Sequence, residues 1–140
     1  MRVSRAVLVI VNRVVNAVVR KLNLSRFRGG DLLYLTTTGH KTGKVRTTPL
    51  LYVRDGDDLI VAASNGGSDW EPGWWLNLQA GSEGTVQVAG QEQRVTGNEV
   101  DGPEREVLWK RLSEQLAGYD AYQKEVRRRI AVVRLTPAPA

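Results

Sequence analysis

Cysteine is absent from this chain, and histidine, methionine and phenylalanine occur once each. Without a thiol there is no disulfide, no thiolate nucleophile and no zinc site built on sulfur. A thiol-free chain fits a reducing compartment, and a cytoplasmic location is expected. The lone His40 leaves no partner for a His-based metal site or a catalytic triad, so no metal is expected. Long apolar runs are missing too. The longest, Ala6 to Val11, has six residues, against the roughly 20 that a membrane-spanning helix needs. No small-residue cleavage site follows it, which argues against a signal peptide. Nor does any acid occur in the first 30 residues.

That last absence makes the charge lopsided. Arg2, Arg5, Arg13, Arg20, Lys21, Arg26 and Arg28 give this segment +7, whereas the 140-residue chain carries +5, so the remainder sums to −2. A nucleic-acid binder spreads basic surface over its folded body, and nucleic acid is not an expected partner. On a helical wheel Arg2, Arg5, Asn12, Arg13, Asn16 and Arg20 share one face. Val3, Val7, Ile10, Val11, Val14, Ala17 and Val18 fill the opposite arc. The many β-branched valines weaken the helix, because they lose χ1 freedom in it. Residues 1–28 are therefore expected as a basic amphipathic helix with two roles open. It packs on the domain or a dimer interface, or it lies peripherally on the anionic inner face of the cell membrane.

From Asp31 the texture changes to strands. Residues 32–37, 49–53, 59–63, 84–88, 93–100 and 130–135 are apolar and rich in β-formers. Asp55-Gly56 and Ala89-Gly90-Gln91 mark turns between them. Pro72 suits the start of a short helix through Trp74 and Trp75. A second helix runs from Pro103 and Glu104 to about Leu116, with Val107, Leu108, Leu112 and Leu116 assigned to one face. Residues 29–136 form the folded domain, and 137–140 are expected as a disordered tail. Strands joined mostly by hairpins, with two inserted helices, predict a mainly β (α+β) antiparallel barrel rather than a parallel sheet.

The loop Gly39-His40-Lys41-Thr42-Gly43-Lys44-Val45-Arg46-Thr47-Thr48-Pro49 sits between two of these strands. It combines glycines, threonine hydroxyls and three cations, which suits a small anion held by a fixed scaffold. It is not a nucleotide-hydrolase loop: only three residues separate Gly39 from Gly43, and Val45 follows Lys44 where Ser or Thr would hold magnesium. No G-x-G-x-x-G follows a strand. By itself Lys41 with Lys44 would suit a solvated hairpin; the addition of Arg46 favours an anion site.

The run from Leu35 to Leu50 resembles the signature of the deazaflavin-dependent nitroreductases of actinobacteria, which include the F420H2-dependent quinone reductase-like proteins. Val61-Ala62-Ala63-Ser64-Asn65-Gly66-Gly67, Trp74-Trp75-Leu76-Asn77-Leu78 and Tyr119-Asp120-Ala121-Tyr122-Gln123 match in order and spacing, so the likeness covers about residues 25–135. The resemblance implies a split β-barrel of the FMN-binding type that binds coenzyme F420. It also implies hydride transfer from the reduced form to a quinone, enone or nitroaromatic, with quinone favoured.

By position, the resemblance puts Lys41, Thr42 and Arg46 on the coenzyme's phosphate and acidic tail. His40 replaces the usual arginine, which makes one contact pH-dependent. Thr47, Thr48, Pro49, Leu50 and Leu51 pass along the ring; Ala62, Ala63, Ser64 and Asn65 line its other edge, Asn65 standing for a lysine of some relatives. Gly73, Trp74, Trp75, Leu76 and Asn77 complete the wall, where an indole face can stack on a planar ring; the residues alone make the two tryptophans core aromatics. Ser64, Tyr119 and Tyr122 are the catalytic candidates, as hydroxyl donors to developing negative charge. Leu51 and Leu116 stand where nitroimidazole-reducing relatives carry tyrosines, so poor turnover of bicyclic nitroimidazoles is expected. The alternatives are an FMN-dependent split-barrel oxidoreductase and a non-catalytic deazaflavin-binding or membrane-surface module. The oligomeric state is left open, a homodimer among the options.

Overall fold

Among the described residues seven strands and two helices between them follow in the order β1 (Arg26–Phe27), β2 (Gly30–Thr38), β3 (Val45–Asp55), β4 (Asp58–Ala62), a short helix Gly73–Gln79, β5 (Gly84–Val88), β6 (Gln91–Glu99), a long helix Gly102–Gln115 and β7 (Val132–Pro137). The computed structural model describes residues 14, 15, 17, 18, 21, 22, 26, 27, 30–64, 71–81, 83–115, 123, 124 and 128–139. The strand order is β1-β2-β3-β4-β7-β6-β5, and β5 returns to pair with β2. Six strands thus close an antiparallel barrel, with β1 as a two-residue addition on β2.

Alternation explains why these strands look continuously apolar. Leu33 and Leu35 of β2, Leu59 and Val61 of β4, and Val133 and Leu135 of β7 point into the barrel with Tyr52, Val86 and Val95. Their neighbours point outward but are covered as well. Ile60, Ala62 and Val132 lie under the long helix with Leu108 and Leu112. Leu32 and Tyr34 pack with Leu51 and Val15. Strands buried on both faces lose the polar half of the usual pattern. Burial also pushes the Tyr34 phenol above its ordinary pKa of 10.0.

The short helix brings Trp74, Trp75 and Leu78 into the barrel core. Leu78 seats against backbone: a Cβ on Gly97 in β6 would lie 2.8 Å from Leu78 Cδ1. The glycine in that strand is a clearance for the helix.

Two expectations need correction. Val107 is exposed, and the buried face of the long helix is Arg105, Leu108 and Leu112 with Trp109 partly covered. At 3.6 residues per turn, 105, 108, 109 and 112 share a stripe that 107 lies outside. The Arg105 guanidinium stacks over Trp109 at 5.2 Å; burial, then repulsion from Arg129, lowers its pKa. The second correction concerns the tail. Strand β7 continues to Pro137, opposite Val95, Ala138 N–H donates to Arg94 O at 2.9 Å, and the Arg94 guanidinium donates to Pro139 O at 3.0 Å. The segment expected to be disordered is therefore paired through Pro139, because β6 extends far enough to receive it.

Residues 14, 15, 17, 18, 21 and 22 are helical, as the amphipathic pattern predicts. Val15 faces the barrel, while Val14, Val18 and Leu22 are 58%, 50% and 63% exposed. Spaced four apart, these three form one apolar row facing outward. The rest of the 1–28 segment lies largely outside the described residues.

Candidate functional site

Strand β3 is where the barrel opens. It pairs with β2 from Val45 to Tyr52, but with β4 only at Val53, Arg54 and Asp55. Beyond Val53↔Ile60, among the described residues, β3 and β4 are no longer laced together. Pro49 sits in this stretch, where its missing N–H costs little because only one edge is paired. Thr47, Thr48, Pro49, Leu50 and Leu51 are all partly exposed there. The alternation splits their side chains: Leu50 packs toward the barrel interior, and Leu51 packs outside against Leu32 and Tyr34. On the β4 side Ala62 and Ala63 are buried, and Ser64 closes the row. Ala63 N–H is tied to Ala131 O at 2.9 Å, and the Ser64 carbonyl accepts from the Arg128 guanidinium at 3.2 Å. The start of the cleft's second wall is therefore fixed backbone.

At one end of the opened stretch stands the β2–β3 loop. Gly39 N–H donates to Lys44 O at 2.8 Å, and Gly43 N–H donates to Gly39 O at 2.9 Å. Gly43 has φ of 70°, the left-handed region that favours glycine. Gly39 has no room for a side chain, since a Cβ would lie 2.8 Å from Thr42 Oγ1. Thr42 Oγ1 in turn accepts from Lys44 N–H at 3.3 Å. This tight turn carries Lys41, Lys44 and Arg46, all exposed and, among the described residues, without a carboxylate partner. Three unneutralised cations around a rigid turn favour an anion with several oxygens.

The loop is tied to the short helix. His40 N–H donates to Asn77 Oδ1 at 3.1 Å, His40 Nδ1 lies 2.8 Å from the same oxygen, and Asn77 Nδ2 donates to Thr37 Oγ1 at 3.1 Å. Thr37, inward on β2, is 3% exposed. Next to it the Thr36 and Thr47 hydroxyls bond across the hairpin at 2.7 Å. These ties were not anticipated from sequence. Their signal was a polar Thr37 at the inward register of Leu33 and Leu35.

The structure thus gathers His40, Lys41, Thr42, Arg46, Thr47, Thr48, Pro49 and Leu50 along one hairpin, with Asn77 behind it. Trp74 and Trp75 are buried in the barrel core with ring centroids 6.4 Å apart, which matches their role as core aromatics; Trp75 Nε1 is a buried donor without a partner among the described residues. Leu76 is the exposed large hydrophobic of that helix, and nothing crowds Gly73. Asn65, Leu116, Tyr119 and Tyr122 lie outside the described residues. No group of three metal-ligating side chains occurs among the described residues.

Comparison with known proteins agrees with the barrel fold. The sequence profile of a family described as F420H(2)-dependent quinone reductase matches residues 5–137. The F420H(2)-dependent quinone reductase Rv1261c of Mycobacterium tuberculosis is 41% identical over 107 residues, 74% of this chain and 72% of that protein. The structure of an F420-H2 dependent reductase (FDR-A) superposes with a TM-score of 0.67 at 34% identity, over 74% of this chain and 92% of the other. A structure described as a domain-swapped dimer gives a TM-score of 0.69 at 31% identity, over 88% and 91%. The haem storage protein HutZ of Vibrio cholerae shares the fold at 14% identity and a TM-score of 0.61, over 86% and 89%.

Proposed function

Because this chain belongs to the F420H(2)-dependent quinone reductase family, we propose that it transfers a hydride from reduced coenzyme F420 to a quinone, with enones and nitroaromatics as lesser acceptors. It is an oxidoreductase, and reduced coenzyme F420 is its cofactor. The observation that carries the coenzyme-binding reading is one hairpin holding both a cationic turn, without a carboxylate partner among the described residues, and an unlaced strand edge. The residues present suit the group. Lys41 and Arg46, without a carboxylate partner among the described residues, and Thr42, whose hydroxyl still has a proton to donate, suit its phosphate and acidic tail, and the open stretch from Thr47 to Leu50 offers backbone and side chains to its ring.

When bound, the reduced coenzyme supplies two electrons as a hydride. The protein's part is to orient the acceptor, exclude water and offer hydrogen-bond donors. As a quinone takes up the hydride, negative charge develops on oxygen, and we assign its stabilisation to the Ser64 hydroxyl. One proton then completes the hydroquinone, with Tyr119 or Tyr122 as donor. Leu51, apolar and packed outward, offers no hydroxyl to a nitro group. With the reduced coenzyme, menadione-like quinones are expected to turn over faster than bicyclic nitroimidazoles; the opposite ranking in a steady-state assay overturns the acceptor assignment. A purified protein that carries a yellow flavin instead would support FMN dependence.

The row Val14, Val18 and Leu22, beside the +7 of residues 1–30, supports a further part of this reading. We propose that this surface lies on an anionic bilayer at the cytoplasmic face, where long-chain quinones reside. No helix among the described residues is long and apolar enough to cross a membrane. Full-length protein is expected to co-sediment with phosphatidylglycerol vesicles at low salt and to be released by high salt. Concentration-dependent dimerisation without vesicle binding would assign the row to a second copy, as in the domain-swapped relative.

A further inference from the structure

The contacts around Asn77 determine more than the position of the loop. Its Oδ1 accepts the His40 backbone N–H at 3.1 Å, while its Nδ2 donates to Thr37 Oγ1 at 3.1 Å. The reversed amide would set two donors face to face at His40, so the orientation is fixed. An amide oxygen has no proton to give. The ring nitrogen 2.8 Å from it, His40 Nδ1, must therefore be the donor. In its neutral form His40 is held as the Nδ1–H tautomer, and Nε2 is a bare lone pair. In its protonated form the same bond persists, and Nε2–H becomes an outward cationic donor. His40 is exposed, and among the described residues Nε2 has no partner.

We propose that Asn77 is a positioning residue that locks His40 so that Nε2 is the loop's titratable contact with the anionic end of the coenzyme. The proposal rests on the cationic turn being the anion cradle. Lys41, Lys44 and Arg46 on the same hairpin are cations, Thr37 on β2 is neutral, and the helix Gly73–Gln79 contributes no titratable side chain. An anion beside Nε2 favours the charged ring, so binding takes up a proton and affinity rises as pH falls through the imidazole range. An arginine at this position would stay charged throughout. One added charge-assisted contact is worth about tenfold in affinity.

His40 is the only histidine, so its ring signals are observable in the full-length protein by NMR. The long-range 1H–15N spectrum above the titration midpoint is expected to show Nδ1–H in the wild type and mixed tautomers in Asn77→Leu. A wild-type Nε2–H tautomer overturns the lock. Saturation with oxidised coenzyme F420 is expected to raise the His40 midpoint; an unmoved midpoint overturns the contact. In parallel, tryptophan fluorescence titrations from pH 5.5 to 8.5, each with a thermal melt, compare the wild type with His40→Arg, which keeps the backbone N–H bond to Asn77 Oδ1 and gives up the ring's. Ionisations of the coenzyme itself are common to both proteins and cancel in the ratio. The wild type is expected to gain about tenfold relative to His40→Arg towards acid. Asn77→Asp, whose carboxylate at the same distance from Nδ1 favours the charged ring, is expected to move the midpoint upward; an unmoved midpoint would show that the 2.8 Å contact is not made. Equal pH profiles in wild type and His40→Arg sink this proposal alone, whereas a wild type that binds no coenzyme at any pH sinks the cradle beneath it.

Discussion

Replacing Lys41 and Arg46 together by alanine is expected to weaken coenzyme F420 binding about 100-fold while leaving the melting temperature almost unchanged. Both side chains are exposed and, among the described residues, neither is spent on an internal carboxylate. Their loss therefore removes ligand contacts without opening the core. A charge-assisted hydrogen bond contributes about 1.5–3 kcal/mol, and two at a screened surface fall near the lower end of that range each. Surface changes of this kind move stability by roughly 0.5 kcal/mol or less. Lys110→Ala on the long helix, far along the chain from the cationic turn, is a surface control that removes one positive charge elsewhere, and it is expected to bind normally. A steeper salt dependence should accompany the wild type, because the two cations are its source. Titration by tryptophan fluorescence with a parallel thermal melt separates the cases. Wild-type affinity in the double variant would falsify the assignment of the acidic tail to this turn; equal losses of affinity and stability would mean that the turn is structural.

How much of this was legible in the sequence depends on how local each cause is. The hairpin at Gly56 was legible because Gly56 occupies the left-handed region with φ of 61°, a demand that only neighbouring residues decide. The cationic turn was legible for the same reason: the spacing of Gly39 and Gly43 carries it. The closing pair Leu35↔Val86 was not, since register between strands some fifty residues apart leaves no local mark. Nor was the parting of β3 from β4, although Pro49 hinted at an edge. Asn77 was expected in the coenzyme's wall; its bonds to His40 and Thr37, which tie the loop to the short helix, were not foreseen. Thr37 explains why this was hard to see. A threonine in a strand suits either face by propensity, and only the inward register of Leu33 and Leu35 reveals that its hydroxyl is buried. Val107 misled because it is apolar next to Leu108, yet one helical step of 100° turns it to solvent.

Arg134→Met is expected to destabilise the fold by about 2–3 kcal/mol, or roughly 10 °C in melting temperature. The guanidinium lies on the outer face of β7 and is only one-fifth exposed. It donates to Asp58 Oδ2 at 2.7 Å and Asp55 Oδ2 at 2.9 Å, and it also reaches Glu104. One side chain thus joins the β3–β4 turn, the last strand and the start of the long helix. A surface pair would be worth little. Here removal leaves three carboxylates crowded together with only Arg111, 3.9 Å from Asp55, nearby. The hydrogen bond to Asp58 is the largest cause of a pKa raised above arginine's ordinary value. The sign follows directly. A cation whose folded pKa is raised gives stability that is fully present below its unfolded pKa, so no loss occurs from neutral pH into moderate alkali. In strong acid the carboxylates protonate and the network loses its partners, so the gap between wild type and variant should shrink there. Arg134→Lys keeps the charge but not the fork of donors, and is expected to recover less than half of the loss. Denaturant unfolding at neutral, alkaline and strongly acid pH tests this. A gap that stays constant into strong acid would show that the stabilisation comes from the packing of the arginine stem and not from its charge.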